Sequence, residues 1–312
     1  MKIAFLSRYQ NRVQRGAETF VFELSSRLKE NHEVDILTGD DADSLDKILK
    51  GEYQIVVSVN GGLQGLKASL GRLRKKYKLV ISGQAGMGIG EIFNITITKP
   101  DLYVALTDTM YRWVKNWAWG SRVVKIHNGV DLNKFKPLGE KAEFKVKRPV
   151  VLSVGALVWY KHHQNSIEAM NYLDKGSLVI VGKGEEKDKL ESMGRKLLGN
   201  RFKIIQADYK DLPKIYRSAD LFVLPSWDRE AFGIVYLEAM ASGVGVVAPK
   251  DNPRKEIIGD AGILTDVSDM KEYALAIELA LKKDWKEKAM KQALQFSWEK
   301  IAKEYEEAFR NL

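Results

Sequence analysis

LFVLPSWDREAFGIVYLEAMASGVGVVAP, residues 221–249, carries an apolar run, a loop, a helical stretch and a second apolar run in direct succession. The opening run, LFVLPS (221–226), is short, apolar and closed by Pro225 and Ser226, which predicts a buried strand. A helix is expected to begin near Gly233, and GVVAP (245–249) reads as the next strand. A strand, a crossover helix and another strand make a βαβ unit, whose strands run parallel.

The same rhythm extends outward. Upstream lie VVLSVGAL (150–157), LVIVGKGE (178–185) and FKIIQAD (202–208), and downstream GILT (262–265), with amphipathic stretches between them. Helices are expected near 268–282 and 298–310. The first half repeats the pattern, with strands at about 2–6, 34–37, 54–58, 79–82, 102–105 and 122–126 and helices near 17–30, 63–76 and 109–117. Between the halves, KPLGEKAEFKVKRP (136–149) is polar, charged and bracketed by prolines, and reads as a linker. The fold class is α/β, with two consecutive doubly wound, Rossmann-like domains over 1–140 and 141–296 and a terminal helix over 297–312. In such open sheets ligands lie beyond the carboxyl ends of the strands, so the residues directly after each apolar run are the candidates for chemistry.

Composition narrows the field. The 312 residues are 45% hydrophobic and 29% charged, as in a water-soluble globular protein long enough for two cores. No run approaches the ~20 apolar residues that span a bilayer, and MKIAFLSRYQ is too short for a signal peptide. The absence of cysteine removes disulfides, thiolate metal sites and cysteine nucleophiles, and fits a cytoplasmic location. The net charge of +9 is concentrated in the first half, notably in KASLGRLRKKYK (67–78). Such a cluster suits a phosphorylated substrate or an anionic lipid surface, and also reads as a solvated helix face. Nucleic acid is not expected as a partner, since no recognisable binding module accompanies the charge.

Within SWDREAFGIVYLEAMASG (226–243), Glu230 and Glu238 stand eight residues apart around Phe232, Gly233 and Ile234. A helix opening at Gly233 would direct free backbone N–H groups and its positive dipole end at an anion, and glycine lets that anion approach closely. Two carboxylates flanking an anion site suit a diphosphate with hydroxyls on both sides, the layout of a sugar nucleotide.

This string resembles the Glu-x7-Glu signature of retaining glycosyltransferases of the GT-B fold, in particular family 4, and matches E-x-F-G-x-x-x-x-E-A-M-A-x-G at every fixed position. HNGVDLNKF (127–135), DLPKIYRSADLFVLPS (211–226), FLSRYQNRVQRGAETFVFELSSRL (5–28) and FSWEKIAKEYEEAF (296–309) resemble further segments of that family. The resemblance implies two domains facing a central cleft and a last helix that crosses back onto the N-terminal, acceptor-side domain. It assigns the C-terminal domain to the nucleotide sugar.

Carried over by position, Glu238 would bind the ribose hydroxyls, Glu230 would lie close to the donor hexose, and the backbone of Phe232, Gly233 and Ile234 would contact phosphate. Lys161, in VGALVWYKHH (154–163), would neutralise the diphosphate as leaving-group charge grows. Gly155 precedes Ala156 where relatives carry an arginine, so His162, His163, Arg229 or Arg15 is the candidate second cation. Gly16 resembles the glycine turn facing donor phosphate and acceptor. Gln84 stands near a histidine that contacts the donor sugar in many relatives. Gly182 and Gly184, in VGKGEE (181–186), resemble the V-G-x-G turn near the nucleotide, and a turn that only lets strand meet helix would read the same.

The activity so implied is transfer of a hexose from a UDP- or GDP-linked sugar to an acceptor hydroxyl with retention. The departing phosphate oxygen assists deprotonation, and catalysis rests on positioning and charge. No D-x-D stretch is apparent, so neither metal nor cofactor is expected. The acceptor would be a saccharide or a lipid-linked acceptor. Peripheral contact with an anionic membrane, at the inner face, would use residues 67–78 and Trp113, Trp117 and Trp119 of MYRWVKNWAWGSR (110–122). A packing helix with core tryptophans is the plainer reading of that stretch. A non-catalytic nucleotide-sugar-binding protein is the alternative from another class; an epimerase or a phosphorylase of this fold is more distant.

Overall fold

The computed structural model describes residues 1–10, 12, 16–59, 61–227 and 230–312. They form two compact units, Met1–Gly129 with Phe296–Leu312, and Val130–Gln295.

The first unit is built from β1 (Lys2–Ser7), α1 (Gly16–Leu28), β2 (Glu33–Thr38), α2 (Leu45–Lys50), β3 (Ile55–Ser58) and α3 (Gly62–Gly71). There follow β4 (Lys78–Ser82), α4 (Ile89–Thr96), β5 (Leu102–Ala105), α5 (Asp108–Lys115) and β6 (Arg122–Lys125). The strands pair in parallel in the order β2-β1-β3-β4-β5-β6. Along β1, Ile3 and Phe5 enter one core while Ala4 and Leu6 enter another, and all four are fully buried. Alternate side chains of a strand point to opposite faces, so a sheet covered on both faces reads as a continuous apolar run.

The second unit contains β7 (Val150–Val154), α6 (His163–Asn171), β8 (Ser177–Val181), α7 (Lys187–Leu198), β9 (Phe202–Ile205) and α8 (Leu212–Tyr216). It continues with β10 (Leu221–Val223), α9 (Ile234–Ala241), β11 (Val246–Pro249), α10 (Asn252–Ile258), β12 (Gly262–Thr265), α11 (Met270–Leu281) and α12 (Lys286–Leu294). Its parallel order is β12-β11-β10-β7-β8-β9, which reverses direction between β10 and β7. That reversal is the topological switch point of a doubly wound sheet. The expected strand at 221–226 is shorter here, because Leu224 leaves the ladder and its carbonyl accepts from Tyr236 Oη at 2.7 Å.

The last helix, α13 (Trp298–Arg310), belongs to the first unit. Trp298, Ile301, Ala302, Tyr305 and Phe309 recur at helical spacing and share a core with Phe20, Val21, Leu24 and Leu28 of α1. The Phe20 ring lies 6.2 Å from Trp298 and 5.7 Å from Tyr305. Each such buried side chain contributes roughly 1.5–3 kcal/mol, enough to fix the helix there. The segment 136–149 has no regular element, and it packs within the second unit. Arg217 Nε donates to the Glu140 carbonyl at 2.7 Å, and Phe144 is buried. The second unit therefore starts at Val130, ahead of the 140/141 boundary read from composition.

Candidate active site

The two loops that leave the switch point carry the residues of interest. After β7 the chain runs through Gly155 and Leu157, whose amides donate to the carbonyls of Val181 and Lys183, both at 3.0 Å. This is where Gly182 and Gly184 act. A Cβ on Gly182 would lie 1.9 Å from the Gly155 oxygen, and one on Gly184 (φ +157°) 2.3 Å from the Leu157 oxygen. The pair thus lets two backbones approach, a structural task that shapes the loop holding Lys161.

A single 3-10 turn, Trp159–Lys161, ends at His162, which adopts left-handed φ 53°. His162 stacks flat on Trp227 from the loop after β10, with centroids 3.7 Å apart and planes at 10°. Ser226 Oγ donates to the Tyr160 carbonyl at 3.2 Å. Lys161 Nζ forms an ion pair with Glu230 Oε2, the two side chains being only 16% and 12% exposed. Three contacts therefore join the loops after β7 and β10, and the two residues expected to carry catalysis touch each other.

Glu230 leads into α9 through Phe232 and Gly233. Phe232 and Ile234 are both buried on either side of Gly233. Gly233 is the N-cap of α9 with φ +91°, and it supplies no side chain to the first-turn amides. A Cβ there would meet the Tyr236 ring at 2.5 Å and stand 3.6 Å from Glu230 Cγ, so only glycine fits. One and a half turns into α9, Glu238 is buried, and its Oε2 accepts from Tyr216 Oη at 2.7 Å. Burial, then the adjacent Glu238 charge, pushes the Tyr216 phenol well above its ordinary range, so it remains a donor.

The expectation for His163 is corrected. His163 is buried, and Ser153 Oγ lies 3.1 Å from its Nδ1. Burial, with the Lys161 charge nearby, pushes its pKa down to about 4, so it is neutral near pH 7 and supplies no second cation. Arg15 and Arg229, two other candidates, lie outside the described residues.

One residue that sequence reasoning missed underlies the site. Arg254, at the start of α10, is 1% exposed; its Nη2 donates to the Ser226 carbonyl at 2.6 Å and its Nη1 to the Glu230 carbonyl at 3.4 Å. DNPRKE (251–256) reads as an ordinary capped helix start, and nothing in that string marks this arginine as buried.

Gly16 and Gln84 belong to the first unit. Gly16 opens α1 beyond β1. The Gln84 side chain closes an amide pair with Asn128, its Nε2 donating to Oδ1 at 3.0 Å and its Oε1 accepting from Nδ2 at 2.9 Å. Next to Asn128, Gly129 is required because an added Cβ would lie 2.7 Å from the Trp298 ring, which explains the glycine of HNGVD. After β4 a hollow of about 310 Å³ opens, walled by Gly86, Met87, Gly88 and Phe93, with Glu91 and Asn94 contributing polar groups. Burial raises the Glu91 pKa, although Tyr103 and Asn94 both donate to its carboxylate. Among the described residues no group of three or more His, Cys, Asp or Glu could hold a metal ion. Among the same residues no helix is long and apolar enough to cross a membrane.

Comparison with known proteins bears on the family and the fold. Residues 135–295, just over half of the chain, match the family model described as "Glycosyl transferases group 1". The phosphatidyl-myo-inositol mannosyltransferase of Mycolicibacterium smegmatis is 26% identical over 89% of this chain and 84% of its own length. The O-antigen chain mannosyltransferase B of Escherichia coli is 38% identical over 33% of this chain and 28% of its own. Among solved structures, the sucrose-phosphate synthase of Thermosynechococcus elongatus superposes with a TM-score of 0.84 at 19% identity, over 99% of this chain and 98% of that one. HepE of Anabaena, solved in complex with UDP, superposes at 0.82 and 20% identity over the full length of both chains. These two likenesses establish the shared fold. Taken with the match across the unit that holds Lys161, Glu230 and Glu238, they lead to one conclusion: the chain belongs to the group 1 family of glycosyltransferases, of GT-B fold.

Proposed function

We propose that the protein transfers a hexose from a UDP- or GDP-linked sugar to an acceptor hydroxyl, with retention at the anomeric carbon. The observation that carries this reading is the meeting of Lys161 and Glu230 beside the glycine-capped mouth of α9. A diphosphate arriving there takes Lys161 as its counter-ion and the first-turn amides as donors. Glu230, released from Lys161, becomes an acceptor for the hydroxyls of the donor sugar. Glu238, oriented by Tyr216, accepts from the ribose. As the glycosidic bond lengthens, negative charge collects on the leaving phosphate, and Lys161 stabilises that charge more than it stabilises the bound donor. The departing phosphate oxygen then takes the acceptor proton. The names of the mannosyltransferase relatives and the UDP bound in HepE are consistent with a nucleotide-sugar donor.

A saccharide or lipid-linked acceptor is proposed for the first unit, with the hollow beside Glu91 offering space and polar groups. Contact with an anionic membrane is supported by α3 and α4, which pack together. Leu63, Leu70 and Leu73 are exposed on and just after α3, and Ile89, Phe93 and Ile97 form an exposed stripe at every fourth residue of α4 and its end. Lys67, Arg72, Arg74, Lys75, Lys76 and Lys78 follow in the same stretch, 62–78 holding no acidic residue, although Arg72 and Lys78 pair with Asp101 and Lys75 with Glu52. An apolar stripe with a cationic border suits a headgroup region. Trp119 is exposed as well, whereas Trp113 and Trp117 pack on each other 6.5 Å apart.

The donor assignment is tested by a thermal-shift panel of UDP- and GDP-sugars followed by hydrolysis of the best stabiliser. Stabilisation with turnover supports the proposal; stabilisation without any hydrolysis or transfer favours a non-catalytic nucleotide-sugar binder. Flotation with vesicles containing anionic lipid tests the membrane contact. Binding at low salt that weakens at high salt is expected, and no binding at either salt ends that part of the proposal.

A further inference from the structure

Arg254 combines three features that together ask for an explanation: its side chain is nearly inaccessible, it carries a fixed charge, and it reaches into the loop that bears Glu230. Burying a guanidinium is costly unless its N–H groups are satisfied. Asp251 is its carboxylate neighbour, with Oδ2 at 3.5 Å from Nε, and among the described residues that Nε makes no hydrogen bond. Among those residues its guanidinium hydrogen bonds go to main-chain oxygens, of Ser226 at 2.6 Å and of Glu230 at 3.4 Å. A planar guanidinium can hold two acceptors in fixed relation, which an ammonium on a flexible stem does less well.

The arginine is itself well anchored. Its amide donates to Asp251 Oδ1 at 2.8 Å as the N-cap bond of α10, and Ile257 and Ile258 of that helix are fully buried. Glu230, by contrast, stands outside any regular element, between β10 and α9. Lys161 holds its carboxylate, and Arg254 holds its carbonyl.

We infer that Arg254 is a positioning residue: it ties the Ser226 and Glu230 carbonyls to α10 and so sets where the Glu230 carboxylate stands for the donor sugar. The inference rests on the proposed donor site. It adds to that site a residue that touches neither sugar nor phosphate. A displacement of Glu230 by about an ångström is enough to cost on the order of 100-fold in turnover. Nucleotide binding depends on the α9 amides and Glu238, and should change far less.

The test compares the full-length protein with R254M and R254K. UDP-glucose and GDP-mannose serve as turnover probes, and UDP and GDP as binding probes by calorimetry. For R254M, kcat on the accepted donor should fall by about 100-fold while Kd for the matching diphosphate stays within about threefold, with R254K between R254M and wild type. Chymotrypsin cleavage after Trp227, an activity-independent readout, should accelerate at least several-fold in R254M at a temperature where the rest of the chain resists. Wild-type kcat and unchanged cleavage in a folded R254M overturn the inference. So does a parallel loss of turnover and diphosphate affinity with a lowered melting temperature, which marks general destabilisation. If R254M does not fold, the same kcat-to-Kd ratio and cleavage rate in R254K decide. A wild-type protein that turns over neither donor counts against the proposed function instead, and the cleavage comparison still judges Arg254.

Discussion

Replacing Glu230 by glutamine should tighten the binding of a bare nucleoside diphosphate while weakening sugar transfer, and the structure gives the size of both effects. In the unliganded protein Lys161 is taken up by Glu230, with both side chains mostly out of water. At contact distance and an effective dielectric near 20, the gross attraction is about 4 kcal/mol or somewhat more. Residual exposure, screening and the cost of desolvating both ions reduce the net value to roughly 1–2 kcal/mol. An incoming diphosphate has to overcome that amount before it gains Lys161. The glutamine amide in E230Q would keep a hydrogen bond to the ammonium without competing as a charge, so UDP, GDP or inorganic pyrophosphate should bind about 5- to 30-fold more tightly to the variant. Apparent stability without ligand should fall by a similar free energy, because the lysine is left partly buried and unpaired. Transfer should still drop by about 10²- to 10³-fold, since a neutral amide replaces the carboxylate that faces the donor sugar. Isothermal titration of wild type and E230Q with UDP and GDP at one fixed, low ionic strength measures the first effect, and single-turnover kinetics the second. Equal or weaker diphosphate binding by E230Q would refute the idea that Glu230 competes with the donor for Lys161.

Three further outcomes are expected. His163 has a folded-state pKa near 4 against an unfolded value near 6.5, so the unfolded chain binds the extra proton between those values. Stability should be fully present above about pH 6.5 and fall as pH drops towards 4, by roughly 3 kcal/mol in all; chemical denaturation across that range should show the slope in wild type and a flatter profile in H163N. Tyr216→Phe removes the donor to buried Glu238, which should cost about 1–3 kcal/mol of stability and weaken UDP or GDP binding more than inorganic pyrophosphate binding; calorimetry with the three ligands separates these. Gly182→Ala places a methyl group 1.9 Å from the Gly155 oxygen and should destabilise by about 1–3 kcal/mol or more, a loss read from the urea midpoint, with reduced diphosphate affinity because the displaced loop carries Lys161.

The four inner strands of the first unit, β1, β3, β4 and β5, were legible almost residue by residue, because a strand buried on both faces is apolar at nearly every position. The helix α4 was not. Its segment GMGIGEIF (86–93) has three glycines in eight residues, which read as a loop, and Ile89 and Phe93 face outward instead of marking a core stripe. For residues 110–122 the plainer reading, core tryptophans on a packing helix, is not what the structure has: Trp113 and Trp117 pack on each other, and Trp117 and Trp119 are exposed. In the site, Glu230, Gly233 and Glu238 were readable because their spacing places them on one strand–loop–helix unit. Gly182 and Gly184 were readable as a turn. Their reason, the carbonyls of Gly155 and Leu157, lay in another loop.

By itself the sequence determined the alternation of strands and helices, the division into two doubly wound domains, and the glutamate string that opens α9. These are consequences of local periodicity and of turn chemistry within a few residues. Tertiary structure alone decided that β7 and β10 lie side by side, that Lys161 meets Glu230 across 69 residues of chain, that His163 is buried and neutral, and that Arg254 reaches two carbonyls from the next helix. Burial and ion pairing depend on which distant segments pack together, and no short window of residues encodes that.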